Sequence, residues 1–244
     1  MTVDPIPLEQ LATALELGSR ELVAIVGGGG KTTTMFALAD QLSGTKVATT
    51  TTKMGHDQHW GNPVLLAPTD AELTAAVVHG GVVVAWKSID GTKAVGVDQA
   101  TCDHWFNEVE GIDHVLVEAD GARRRPFKAP GPLEPVIPSS STITIIVVGA
   151  DALGRVIGDQ CHRPLRVAAL AGCGPYERLT PERAATVLLH ERGFLASVPP
   201  AARLAIVITK VDDTTTQAVA DLVAALETRR SVSRDFSLVT VASH

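Results

Sequence analysis

One join in the chain limits its folds most. The apolar run Leu22-Val23-Ala24-Ile25-Val26 passes directly into Gly27-Gly28-Gly29-Gly30, and Lys31-Thr32-Thr33-Thr34 then opens a helical stretch. An unbroken apolar run of this kind reads as a strand buried on both faces, as in a parallel sheet covered by helices. Glycines let backbone N–H groups turn inward around an anion, and the following helix adds the positive end of its dipole. In such a loop Lys31 is expected to reach the β- and γ-phosphates of a nucleotide, and the Thr32 hydroxyl to hold Mg²⁺. The spacing is GxxGKT from Gly27 rather than GxxxxGK[ST], because Ile25 stands where the longer pattern needs glycine. A glycine-rich turn with an incidental lysine is the alternative, and the strand-to-helix position argues against it.

Strand-like runs recur at Lys46–Thr50, Val64–Ala67, His114–Glu118, Thr142–Val148, Leu204–Ile208 and Ser237–Val241. Helical patterns over Lys31–Leu42, Asp70–Val78, Asp98–Val109, Pro181–His190 (N-capped by Thr180) and Thr214–Leu226 separate them. Val82–Ala85 and Lys93–Val97 flank an Asp90-Gly91 turn and read as a hairpin. The alternation predicts an α/β, P-loop NTPase-like three-layer fold, with a mostly parallel sheet covered by helices on both faces. One domain over residues 1–244 is expected, with an N-terminal helix within 1–20, a long loop at 119–141 and a helical insertion at 150–200. Apolar residues make up 45% of the 244 and aromatics 4%, so the core must be aliphatic, and disorder is excluded as the global state.

With 21 Lys+Arg against 27 Asp+Glu the net charge is −6, which argues against a nucleic-acid partner. No apolar run reaches the roughly 18 residues of a membrane span, and MTVDPIPLEQ lacks the basic-then-apolar order of a signal peptide. No membrane partner and a cytoplasmic location are therefore expected. Cys102, Cys161 and Cys173 form no CxxC.

Val115-Leu116-Val117-Glu118-Ala119-Asp120-Gly121 is an apolar strand ending in two carboxylates and a glycine. Ligands of open parallel sheets gather at strand carboxyl ends, so Glu118 or Asp120 is expected to join Thr32 on Mg²⁺ or to orient an attacking water. Gly121 would let the backbone approach a γ-phosphate. A solvated strand end is the alternative. Later, Ala205–Ile208 runs into Thr209-Lys210-Val211-Asp212. There Asp212 would accept hydrogen bonds from guanine while the Lys210 stem covers the base, a preference adenine could not satisfy. Asp212 would equally suit a helix cap.

Arg123-Arg124-Arg125-Pro126-Phe127-Lys128 follows the acidic turn. This densest positive cluster of an acidic chain is expected to neutralise phosphate or to bind an anionic second substrate. Thr49–Thr52 and Lys53 could contact the γ-phosphate or be ordinary strand residues. His56-Asp57-Gln58-His59 lacks recognised metal-ligand spacing, and Cys161-His162-Arg163 reads as core and helix-end chemistry.

The GxxGKT loop with its threonine run resembles the shorter phosphate loop of the Mur-ligase type. Glu-x-x-Gly is similar to metallochaperone-type GTPases, and TKVD resembles the GTPase [NT]KxD motif. Taken together, VGGGGKTTT, TTTTKM, VEADGARRRPFKAPGPLEPVIP and ITKVD resemble the YqeC family, described as accessory proteins for selenium-dependent molybdenum hydroxylases. The resemblance runs from about Leu22 to Asp212, and EADGARRRPFKAP is its most specific part. It implies a nucleotide-hydrolysing maturation factor in which Gly27–Gly30, Lys31, Thr32 and Thr33 hold GTP or ATP, GTP slightly favoured. A molybdenum hydroxylase or its cofactor would then be the partner, and a homodimer is an open expectation. The alternatives are an ATP-dependent small-molecule kinase or ligase, and a non-hydrolysing nucleotide-sensing scaffold.

Overall fold

The computed structural model of the chain describes residues 4–77, 81–230 and 234–243. Glu21–Gly27 forms strand β1, with all seven residues buried. Leu22, Ala24 and Val26 enter the apolar cluster on one face of the sheet, and Val23 and Ile25 the cluster on the other. This period of two is the pleat itself, and it explains why the run is apolar throughout. The remaining central strands are β2 (Lys46–Thr50), β3 (Val64–Leu66), β4 (Val82–Trp86), β5 (His114–Glu118), β6 (Ile143–Gly149), β7 (Arg203–Val211) and β8 (Ser237–Ala242).

They form one sheet in the order β8-β7-β6-β1-β5-β2-β4-β3, in which each adjacent pair runs parallel. After β1 the chain builds outward through β2 to the edge strand β3, comes back through β4 and then β5, which lies between β1 and β2, and crosses to β6 on the other side of β1. The carboxyl ends of β1, β5 and β6 therefore meet where the winding reverses, the crevice in which such sheets bind ligands. The helix Lys31–Gln41 follows β1 and buries Met35, Phe36, Leu38 and Ala39. The opposite face is covered by helices that include Gln99–Asn107 and Pro181–Leu188. Asp98 caps the first of these through the Thr101 N–H, and Thr180 caps the second through the Arg183 N–H. Among the described residues no helix is long and apolar enough to cross a membrane.

Three expectations are corrected. The N-terminal segment is not one long helix: a 3₁₀ turn at Leu8–Gln10 leads into the single turn Leu11–Ala14. Pro5 and Pro7 keep the preceding backbone extended, and Ile6 bridges Val241 of β8 instead. The hairpin forms around Asp90-Gly91, but its first strand is Ser88–Asp90 and its second Lys93–Val95. The run Val82–Trp86 is buried throughout and so belongs to the central sheet. Lys53–Gly55 adds a third antiparallel strand to the hairpin. Within the 119–141 loop, Phe127–Lys128 pairs in parallel with Cys161–His162. The helix from Asp70 is described to Val77; Val78 lies outside the described residues.

Candidate functional site

The glycine loop leaves β1 at the winding reversal and packs against two neighbouring segments. A Cβ on Gly29 would lie 2.2 Å from the Gly149 nitrogen at a φ of +76°, and one on Gly28 would lie 2.6 Å from the Arg125 carbonyl oxygen. Most of the loop amides are already committed. The Gly27 N–H donates to Asp120 Oδ2 at 3.0 Å, Gly28 N–H to the Val147 carbonyl at 2.9 Å and Gly29 N–H to the Arg125 carbonyl at 3.2 Å. The expectation that all four glycines offer amides to an anion is therefore too broad. Among the described residues, the open amides are those of Gly30, Lys31, Thr32 and Thr33, the unpaired first turn of the helix.

Lys31 is 5% exposed. Its ammonium donates to the Gly27 carbonyl at 3.0 Å and pairs with Glu118 Oε1 at 3.4 Å and Asp120 Oδ1 at 3.3 Å. Burial is the largest single influence and works to lower its pKa, but the two carboxylates outweigh it and hold the group above its ordinary value. Thr32 Oγ1 donates to Glu118 Oε2 at 2.7 Å. Thr32, Lys31 and Glu118 all line one cleft of about 1170 Å³.

The structure separates the two carboxylates that the sequence leaves equivalent. Glu118 ends β5 and faces the cleft, whereas Asp120 is fully enclosed. Besides Gly27 and Lys31, Asp120 holds Lys128 at 3.0 Å, and Lys128 also pairs with Glu134 at 2.9 Å and donates to the Gly121 carbonyl at 2.6 Å. Lys128 is thus an internal cation, 0% exposed in its side chain, and does not share the surface position of the three arginines before it. Glu134 is also 3.2 Å from Arg163. Burial pushes the Glu134 pKa up, but the hydrogen bond and charge of Lys128 and the charge of Arg163 outweigh it, leaving the carboxyl below its usual range. Gly121 lines the cleft.

The end of β7 meets the same loop. Thr209 Oγ1 donates to the Gly29 carbonyl at 2.6 Å, so this residue braces the glycine loop. Lys210 lines the cleft and pairs with Asp151 at 2.7 Å. Asp212 Oδ1 accepts from the backbone N–H and hydroxyl groups of both Thr214 and Thr215, a cap at the entry to the helix Thr216–Arg230. It does not line the cleft.

Eight Lys or Arg residues line this cleft against three Asp or Glu, in a chain whose net charge is −6. Four are lysines: Lys31, Lys53, Lys93 and Lys210. The arginines are Arg123, Arg124, Arg125 and Arg163. Arg125 donates to the Asp159 carbonyl. Thr51 and Thr52 line the cleft, whereas Thr49 and Thr50 are buried in β2. His56, Asp57 and Gln58 line it too. Among the described residues no group of three or more His, Cys, Asp or Glu is placed to hold a metal. His162 and Arg163, which the sequence reading assigned to core and helix-end roles, reach the cleft because Cys161–His162 pairs with Phe127–Lys128. Burial first, then the charges of Lys128 and Arg163, push the His162 imidazole down to about 4. Nearby Cys161 is buried, and its thiol is pushed up to about 12.

The family model described as YqeC protein matches residues 23–165. A protein of Escherichia coli (strain K12) described as uncharacterized protein YqeC is 34% identical over 203 residues, covering 79% of this chain and 78% of that protein. No solved structure matches.

Proposed function

We propose that this chain, which belongs to the YqeC family, binds a nucleoside triphosphate at the glycine loop and hydrolyses it as an accessory factor in enzyme maturation. The observation that carries the reading is the convergence of Lys31, Thr32 and Glu118 with the open amides Gly30–Thr33 at the winding reversal of the sheet. Four unpaired N–H groups at the start of an 11-residue helix, beside a lysine, suit a phosphate chain.

The Thr32 hydroxyl and the Glu118 carboxylate are hard oxygen donors 2.7 Å apart at the cleft wall. They fit Mg²⁺, which takes few protein ligands and fills its shell with phosphate oxygens and water. When bound, the ion would neutralise phosphate charge. Lys31 would leave its carboxylate partners for the phosphates and fix their position, and the arginines would add positive charge over the terminal group. Asp120 and Lys128 hold the loop from inside, and Thr209 holds it from β7. A preference for GTP through Thr209-Lys210-Val211-Asp212 would require Asp212 Oδ1 to give up its capping bonds and turn toward the cleft. The client, a selenium-dependent molybdenum hydroxylase or its cofactor, rests on the family resemblance alone.

The test is turnover of GTP and ATP with Mg²⁺ by the full chain and by Lys31→Ala, with the fold of each checked by circular dichroism. The expected result is loss of turnover in a folded variant. Unchanged turnover would remove the glycine loop from the chemistry.

A further inference from the structure

The cleft is larger, and its cations are more widely distributed, than one triphosphate requires. Its volume of about 1170 Å³ exceeds the roughly 300–1,000 Å³ that encloses one small ligand. Only Lys31 belongs to the glycine loop and its helix. Arg123, Arg124 and Arg125 stand on the turn after β5, Arg163 on the segment after Cys161–His162, and Lys53 and Lys93 on the hairpin sheet.

Two further observations bear on what these cations do. Among the described residues seven non-glycine residues have positive φ, and four of them are cleft cations: Arg123 (+50°), Arg124 (+60°), Arg163 (+58°) and Lys210 (+60°). Basic side chains have no local hydrogen bond to compensate for that conformation, as Asn and Asp do, and glycine would adopt it without strain. Strain retained at such positions marks ligand clamps and active sites. Moreover, among the described residues the side chains of Arg123, Arg124 and Lys93 have neither an ion pair nor a hydrogen bond, and all three are exposed. Their forked or pointed donors are open to an anion.

We propose that Arg123, Arg124, Arg163 and Lys93 form a site for a second, multiply anionic small molecule, bearing phosphate or clustered carboxylate groups, which binds together with the nucleotide rather than in its place. The proposal rests on the nucleotide reading only for what fills the glycine-loop side of the cleft. His162 faces Lys128, Arg123 and Arg163, with Glu134 as the opposing charge. An anion at Arg163 would add negative charge beside this imidazole and raise its pKa from about 4.

The experiment is calorimetric titration of pyrophosphate, and separately of citrate, into the full chain saturated with a non-hydrolysable nucleoside triphosphate analogue, at constant free Mg²⁺. Saturable binding of either probe to the nucleotide-loaded protein supports the proposal. Tighter pyrophosphate assigns a phosphate-bearing ligand, and tighter citrate a polycarboxylate. Lys93→Ala should weaken the probe about tenfold or more, the worth of a charge-assisted hydrogen bond, while nucleotide affinity holds. NMR titration should show the His162 pKa rising when the probe binds. Lys31→Ala separates the two readings, because it should abolish nucleotide binding yet leave the probe bound. Probe binding that competes one-for-one with nucleotide and disappears in Lys31→Ala would overturn the proposal, as would no binding at millimolar probe.

Discussion

Replacing Asp120 by alanine tests whether the glycine loop is held from inside by a buried charge cluster. The carboxylate is fully enclosed and carries three partners: the Gly27 N–H at 3.0 Å, Lys31 at 3.3 Å and Lys128 at 3.0 Å. Removing one member of a buried ion pair costs about 3–5 kcal/mol, because the other charge stays buried. Leaving the Gly27 N–H unpaired adds about 1–3 kcal/mol. Two residual contacts limit the total, since Lys128 keeps Glu134 at 2.9 Å and Lys31 keeps Glu118 at 3.4 Å. We expect about 3–5 kcal/mol, which for a chain of this length lowers the thermal midpoint by roughly 6–20 °C. Urea unfolding followed by circular dichroism measures it. Asp120→Asn and Lys128→Met, combined, should cost about 1–3 kcal/mol less than the sum of the single changes, since the partners form one network. A cost below about 1 kcal/mol for Asp120→Ala, or strict additivity in the double variant, would refute the claim that this cluster braces the loop.

Thr209→Val keeps the shape but loses the hydroxyl's bond to the Gly29 carbonyl. It should cost about 1 kcal/mol and weaken nucleotide binding in calorimetry, with Thr209→Ser restoring both. Asp212→Ala should lower the urea midpoint through the lost helix cap; if it also erases a preference for GTP over ATP in the same titration, Asp212 reads the base as well. Acid stability should depend on Glu134, whose folded pKa lies below its ordinary 4.5. A depressed carboxyl stabilises fully above its unfolded value, and that contribution is lost as pH falls through the folded value. Urea midpoints of wild type and Glu134→Gln should therefore converge as pH drops below about 4.5, and parallel curves through that range would contradict the assignment.

The central sheet was legible because two-sided burial leaves unbroken apolar runs, and β1, β2 and β5 begin and end within a residue of where those runs do. The hairpin misled for the same reason. Val82–Trp86 is as apolar as a central strand, yet the Asp90-Gly91 turn beside it suggested local pairing, and the true partner Ser88–Asp90 is exposed and carries little pattern. At the candidate site, the glycine loop, Glu118 and the arginines were visible from their position after strands. Which of Glu118 and Asp120 faces the cleft was not, because the chain leaves the pleat between them and strand alternation no longer applies. His162 and Arg163 were hidden altogether. They reach the cleft through the pairing of Cys161–His162 with Phe127–Lys128, a contact between distant segments that no local spacing encodes.

The four glycines carry two different requirements, which composition alone merges. Gly27, Gly28 and Gly29 are needed because neighbouring backbone crowds them: a Cβ would meet Val147, Arg125 and Gly149 atoms within 2.6 Å. Gly30 alone meets nothing within 4 Å, and its φ of +109° turns the chain into the helix. The first three therefore serve packing, and the fourth serves the opening of the helix toward the cleft. The Arg125 carbonyl receives the Gly29 N–H, and the Pro126 carbonyl receives the Gly149 N–H. This ties the turn that carries the arginines to the glycine loop and to β6 as one unit. A loop fixed by packing on one side and by Asp120 on the other has little freedom left to lose on binding, so an anion docking there meets donors already in place.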